Sequence, residues 1–121
     1  MSKRMQRNIN WLKALHCCSK SEQKELLRVA KPESINAICD CVHNILQGNV
    51  KVDQGQLNQL KKKKKVLREL TNRKNKTPTR KKILIQHGGG FLNSVLGPVL
   101  SVLGEVFLKW HHQRMEKRLL S

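Results

Sequence analysis

The chain has 121 residues, which allows one domain with short extensions, and its aromatic content is low, with two Phe, two Trp and no Tyr. Its 25 Lys and Arg against 8 Asp and Glu give a formal net charge of +17, so a polyanion is the expected partner, nucleic acid first and an anionic membrane surface second. The missing aromatic residues argue against RNA-binding modules that stack bases on exposed rings, and favour contacts to phosphates.

Residues 1–60 are predicted to form a small helical domain. Apolar residues at three-residue spacing predict a first helix over about 7–16. Ser19 and Glu22 have the spacing of a capping box, so they predict the start of a second helix. Pro32 is expected to stop that helix and to occupy the first turn of the next one.

The third helix has the clearest pattern, because its apolar residues form one stripe: Ile35, Ile38, Cys39, Val42, Ile45 and Leu46. Gly48 suits its end, and Asp53 suits the start of a fourth helix over about 54–74. That helix carries leucines on one side, and Lys64 falls among them, so its stem is expected to lie along apolar surface. Apart from the short run Ile83–Ile85, strand-like alternation is absent.

The predicted fold class is therefore all-α. We expect a small bundle of three or four short helices, a disordered basic linker and a C-terminal apolar helix.

Residues 61–82 form the basic segment, which contains twelve Lys or Arg and one acidic residue, Glu69. Like charges on all sides of a helix repel one another, so the segment is expected to be disordered until phosphates neutralise it. This density of charge predicts nucleic-acid binding rather than an ordinary solvated face, and a nuclear-import signal is a compatible second use. The residues expected to bind nucleic acid are Lys61, Lys62, Lys63, Lys64, Lys65, Arg68, Arg73, Lys74, Lys76, Arg80, Lys81 and Lys82.

The four cysteines, Cys17, Cys18, Cys39 and Cys41, lack the usual spacing of zinc ligands, so we expect no metal and no cofactor. Cys39 fits the stripe of the third helix, whereas Cys41 is expected on another face. No apolar signal segment follows the basic start, which favours a reducing compartment and free thiols. The acids form no convincing catalytic pair, and Gly88–Gly90 lacks the phosphate-loop pattern, so we do not expect an enzyme.

Residues 83–90 are predicted to be a glycine-rich hinge, whose extended backbone would fit a protease cleft. Beyond it, residues 91–121 are predicted to be an apolar helical tail with a basic end. Its apolar stretch is near the lower limit for a membrane span and is interrupted by polar, Gly and Pro residues. Three interpretations are open: an interfacial membrane helix anchored by Trp110, a helix docked on the N-terminal bundle or a partner, and self-association.

This order of parts resembles the adenoviral core protein X family, the precursors of the mu peptide. The residues that carry the resemblance are Gln86-His87-Gly88-Gly89, then Gly90-Phe91-Leu92 and the run through Pro98 to Leu108. Residues 8–75 are similar to the helical part of homologues in adintoviruses and Polinton (Maverick) elements. That similarity includes Ala37-Ile38-Cys39-Asp40-Cys41 and Asn44-Ile45-Leu46-Gln47-Gly48-Asn49-Val50.

The resemblance implies a minor core protein of a DNA virus or virus-like transposon, found in the virion core and the host nucleus. Such a protein would bind and condense double-stranded DNA through phosphates, without sequence preference. The resemblance also implies a viral cysteine protease as a partner, with a cleavage site formed by Gln86, His87, Gly88, Gly89 and Gly90. Until that cleavage, residues 91–121 would tether the protein to a capsid protein or an anionic membrane. A membrane-active or capsid-adaptor virion protein is the alternative function.

Overall fold

The computed structural model describes residues 2–88 and 90–104, and within these residues it is helical, with no strand. The all-α prediction is confirmed. In chain order the helices are α1 (Lys3–Arg7), α2 (Ile9–Cys17), α3 (Lys20–Arg28), α4 (Pro32–Leu46), α5 (Gln54–Lys62), α6 (Lys64–Thr71), α7 (Thr77–His87) and α8, described over 90–104.

Three of the predicted helix boundaries are confirmed by their capping geometry. Ser19 Oγ accepts a hydrogen bond from the backbone N–H of Glu22 at 3.3 Å and completes a capping box at the start of α3. Asp53 caps α5 in the same way, accepting from the Gln56 N–H at 2.7 Å. Gly48 follows α4 with a φ of +77°, a left-handed conformation that suits glycine.

One predicted helix is divided in the structure, and a short helix at the start of the chain was not predicted. The fourth predicted helix becomes α5 and α6, which meet at Lys63. The first predicted helix, about 7–16, corresponds to α2, and the short helix α1 precedes it and meets it at Asn8. The prediction that Lys64 lies along apolar surface is wrong, because the turn at Lys63 brings Val66 to the core and leaves Lys64 exposed. Sequence periodicity assumes an unbroken helix, so it misplaces residues beyond a break.

Helix α4 lies at the centre of the bundle, where it contacts α1, α6 and α7. Cys39 is buried in it, as predicted. Cys41 is also fully buried, although it was expected on another face and outside the stripe. The reason is that a helix surrounded by neighbours buries more than one side.

The basic segment is folded for most of its length, which differs from the expected disordered linker. It contains the end of α5, the whole of α6 and the first half of α7, and both α6 and α7 pack on α4. Each helix has an apolar face, formed by Val66, Leu67 and Leu70 in α6 and by Ile83 and Leu84 in α7. Burial of one such side chain contributes about 1.5–3 kcal/mol, which offsets the repulsion between exposed lysines.

Helix α8 forms one wall of the same hydrophobic core. Its inward residues are at most 3 % exposed and belong to a single cluster with the front helices: Phe91, Leu92, Val95, Leu96, Val99 and Leu103. Of the three interpretations of the tail, these residues support docking on the N-terminal bundle. No helix within 2–88 or 90–104 is both long and apolar enough to cross a membrane. Residues 105–121, which include Trp110 and the basic end, lie outside the described residues.

Candidate nucleic-acid interface

Most cations of the basic segment are on the protein surface. Lys63, at the junction of α5 and α6, is half-buried. The exposed members are Lys61, Lys62, Lys64, Lys65, Arg68, Arg73, Lys74, Lys76 and Lys82. Long, flexible side chains at such positions can reach separate phosphates along a nucleic-acid backbone.

Helix α6 displays its cations because its apolar residues fix its orientation. Val66, Leu67 and Leu70 face the core, so Lys64 and Arg68, one turn apart, are on the outer side. With no phosphate present, these like charges repel each other, and a polyanion that binds them removes that repulsion.

The turn between α6 and α7 presents a second group of cations, Arg73, Lys74 and Lys76. Asparagine side chains hold this turn. Asn72 Oδ1 accepts from the Lys74 N–H at 3.0 Å, and Asn75 Nδ2 donates to the carbonyl oxygen of Glu69 at 2.8 Å. The turn is therefore ordered by its own hydrogen bonds, while its charged side chains remain free to bind an anion.

Two predicted phosphate ligands, Arg80 and Lys81, hydrogen-bond to the protein itself. Lys81 Nζ donates to the carbonyl oxygen of Ala30 at 3.2 Å. Arg80 donates to Asn36 Oδ1 and to the carbonyl oxygen of Asn72, both at 3.2 Å. Both cations precede the buried Leu84 by one turn of α7, so they point toward the same side as the core residues. Unlike the exposed cations of the segment, these two side chains are therefore held partly within the fold.

Within the described part of the chain, the acidic residues that form ion pairs are in the front half. Arg4 pairs with Asp40 at 2.8 Å, Arg7 with Glu33 at 2.6 Å, and Arg28 with Glu25 at 3.1 Å. No Lys or Arg of the basic segment has an acidic partner among residues 2–88 and 90–104. The positive charge of this segment is therefore uncompensated by the rest of the described fold.

Two further lysines, Lys20 and Lys24 of α3, border α7. Together with Gln86, which is one turn beyond Lys82, they line a shallow cleft between the two helices. Sequence reasoning missed these lysines because they are about sixty residues from Lys82 in the chain. Only the packing of α3 on α7 brings them to this surface.

The buried thiols are held in their neutral form. Burial raises the pKa of Cys39 to about 11, although the charges of Arg80 and Arg4 partly oppose this effect. Burial also raises the pKa of Cys41, and the neighbouring Asp40 adds to that increase. Thiolate is the form that attacks carbon or binds metal, so neither thiol is poised for that chemistry at neutral pH. Within the described residues, no three His, Cys, Asp or Glu side chains are grouped as metal ligands.

The predicted protease site lies at the connection between α7 and α8. Gln86 and His87 are in the last turn of α7, Gly88 ends that helix, and Gly90 begins α8. Gly89 lies outside the described residues. A Cβ atom at Gly88 would be 3.0 Å from the carbonyl oxygen of Leu84, so glycine suits this close approach. A protease that needs an extended strand would have to unwind the end of α7.

Comparisons with protein-family models, with curated proteins and with solved structures find no significant match to this chain.

Proposed function

We propose that this protein binds double-stranded DNA through its phosphates, without sequence preference, and condenses it. In this proposal it is a minor core protein of a DNA virus or virus-like transposon, present in the virion core and the host nucleus. The observation that supports DNA binding most directly is the exposed cations of the basic segment, which have no acidic partner among the described residues. A surface of this kind attracts a polyanion and needs no base contacts.

Folding of the basic segment also favours binding. The helices α6 and α7 are ordered by the core before DNA arrives, so less conformational entropy is lost on association than for a disordered arm. Each bound molecule neutralises several phosphates and so lowers the repulsion between DNA segments. Condensation follows when many copies coat the duplex.

The order of parts supports the viral assignment. The basic segment is followed by the Gln86-His87-Gly88-Gly89 motif and an apolar tail, as in the adenoviral core protein X family. In this proposal a viral cysteine protease cuts after Gly89. Because α8 fills part of the core, the cut leaves it bound to the bundle without a covalent link. A capsid protein or an anionic membrane would then compete with the core for its apolar face.

The experiment that tests DNA binding compares two variants of equal charge. One is Lys61→Gln, Lys62→Gln, Lys64→Gln and Lys65→Gln combined. The control combines Lys→Gln at four exposed lysines outside the basic segment: Lys3, Lys13, Lys31 and Lys51. Gel shifts on unrelated duplexes of equal length, at rising salt, measure the affinity and its salt dependence.

Wild-type affinity should be equal for all duplexes and should fall about 10³–10⁵-fold between roughly 50 and 200 mM salt if six to ten cations contact phosphates. The variant in the basic segment should lose much more affinity than the control, and its salt slope should decrease by about 0.9 for each lost contact. Equal losses in the two variants, or a strong preference for one duplex, would contradict the proposal.

A further inference from the structure

A cleft of about 320 Å³ opens between α1, α4, the end of α6 and the start of α7. Its charged and titratable lining residues are Arg4, Asp40, His43, Arg73 and Arg80, with Cys39 beside them. Three guanidinium groups and one carboxylate therefore meet at one place, and they come from four separate parts of the chain.

The carboxylate in this cleft is already neutralised. Asp40 accepts from Arg4 Nε and Nη2, each at 2.8 Å, and from Ser2 Oγ at 3.0 Å. This two-bond pairing is the strongest arrangement between a guanidinium and a carboxylate. Among the described residues, the other two guanidinium groups of the cleft are consequently left without a counter-charge.

Arg80 is fixed in position but its charge is not compensated. It donates to two neutral oxygen atoms, Asn36 Oδ1 and the Asn72 carbonyl, which satisfy two of its five N–H groups. Its Nε atom is enclosed and has no hydrogen-bond partner among the described residues. Because the charge of Arg80 has no anionic partner among the described residues, an anion that enters the cleft would supply one.

Arg73 is the exposed donor of the cleft. It is exposed and makes no hydrogen bond or ion pair with the described residues. It directly precedes Lys74 in the exposed turn. A phosphate bound in the cleft would therefore lie next to the exposed cations of the basic segment, which would contact neighbouring phosphates of the same DNA. Two guanidinium groups, one fixed and one adaptable, match the several acceptor oxygens of a phosphate group.

We propose that this cleft binds a single phosphate group, and that in the DNA complex the group is a phosphodiester of the backbone. Arg80 supplies a fixed charge and Arg73 closes over the bound oxygen atoms. This inference rests on the proposed function and deepens it, because it assigns one anchoring phosphate site beside the diffuse contacts of the exposed lysines.

Inorganic phosphate is the first probe. It is titrated into the ¹⁵N-labelled full chain, and the side-chain signals of Arg73 and Arg80 and the ring signals of His43 are followed by NMR. Sodium chloride at equal ionic strength is the reference. We expect saturable shifts with phosphate alone, their loss in Arg73→Gln, a weaker response in Arg73→Lys, and their retention in Lys82→Gln. Arg73 has no partner among the described residues, so circular dichroism should show an intact fold in its variants.

Duplex DNA is the second probe. Arg73→Gln should lower the affinity at least threefold more than Lys82→Gln, although both remove one positive charge from an exposed residue. Absence of a saturable phosphate response would overturn the site, whether or not DNA binds. If phosphate gives a saturable response but Arg73→Gln and Lys82→Gln have equal affinities for DNA, the cleft binds free phosphate. The proposed contact with the DNA backbone is then overturned. If no duplex binds even the wild type, the proposed function fails, and the phosphate titration alone still decides the cleft.

Discussion

Lys81 Nζ donates a hydrogen bond to the carbonyl oxygen of Ala30 at 3.2 Å, and this bond joins α7 to the end of α3. Ala30 follows the last turn of α3, where carbonyl groups have no partner within the helix. Lys81, which lies in a run of three cations, therefore supplies a hydrogen-bond donor to a carbonyl group at the end of α3. Its neighbour Lys82 is exposed and makes no such bond with the described residues.

The first prediction compares these two neighbours. Lys81→Gln should lower the free energy of unfolding by about 1–2 kcal/mol, because it removes a charged donor from a partly buried carbonyl. Lys82→Gln should change it by less than about 0.5 kcal/mol, as surface substitutions usually do. Urea denaturation followed by circular dichroism measures both. Equal stabilities of the two variants would show that the Lys81 bond contributes nothing.

The second prediction concerns the docking of α8. Leu96 is fully buried, so Leu96→Ala should lower the free energy of unfolding by about 2–5 kcal/mol. Ser101→Ala, on the exposed side of the same helix, is the control and should have a small effect. Thermal and urea denaturation of the full chain provide the measurement. If Leu96→Ala is as stable as the control, α8 does not contribute to the core in solution.

The third prediction concerns processing. If the proposed function is right, a viral cysteine protease with this specificity should cut after Gly89, and Gly89→Val should block the cut. The two fragments should elute together in native size-exclusion chromatography, because the apolar face of α8 remains in the core. They should separate in denaturant. Intact mass spectrometry identifies the cut, and native separation of the fragments would contradict continued docking.

The fourth prediction concerns the reactivity of the cysteines. Cys17 is exposed and should react with iodoacetamide in the folded protein, whereas Cys39 and Cys41 should react only after unfolding. Burial excludes the reagent and also raises the pKa of both inner thiols, so the reactive thiolate is scarce there. Peptide mass spectrometry at mildly alkaline pH gives the order of labelling. Early modification of Cys41 would show that α4 is not enclosed.

The fifth prediction is a loss of stability at alkaline pH. The pKa of Cys39 rises from 9.0 to about 11 on folding, so between these values the unfolded chain releases a proton that the folded chain keeps. The contribution of this thiol is complete below pH 9 and is lost as the pH rises through about 11. Cys39→Ala should weaken the decline in the free energy of unfolding between pH 9 and about 11, as measured by urea denaturation at several pH values in that range. An unchanged slope would contradict the role of the thiol.

Local signals in the sequence predict much of the front half. The boundaries of α4 follow from Pro32 and Gly48, and the starts of α3 and α5 follow from Ser19 and Asp53. These signals depend on residues within one turn of the helix end, so they can be recognised without knowledge of the fold. The helix α1 and the break at Lys63 have no comparable signal, and packing of these helices on the core decides them.

The sequence locates the basic segment but does not predict which of its cations are exposed. The density of Lys and Arg over 61–82 identifies the basic segment, and nothing in that run distinguishes the inward Arg80 and Lys81 from the outward Lys82. The same limit applies to Arg4 and His43 of the cleft, which are far from Arg73 in the chain. Their proximity depends on how α1 and α4 meet the end of α6.

The sequence by itself determines the net charge of +17, the helical class and the position of the basic segment, because composition, periodicity and capping are local properties of the chain. The tertiary structure alone decides that the basic segment is folded and which of its cations are free. It also decides that α8 belongs to the core and that Arg73 and Arg80 share a cleft. Burial and charge pairing join residues that are distant in sequence, so they exist only once the helices have packed together.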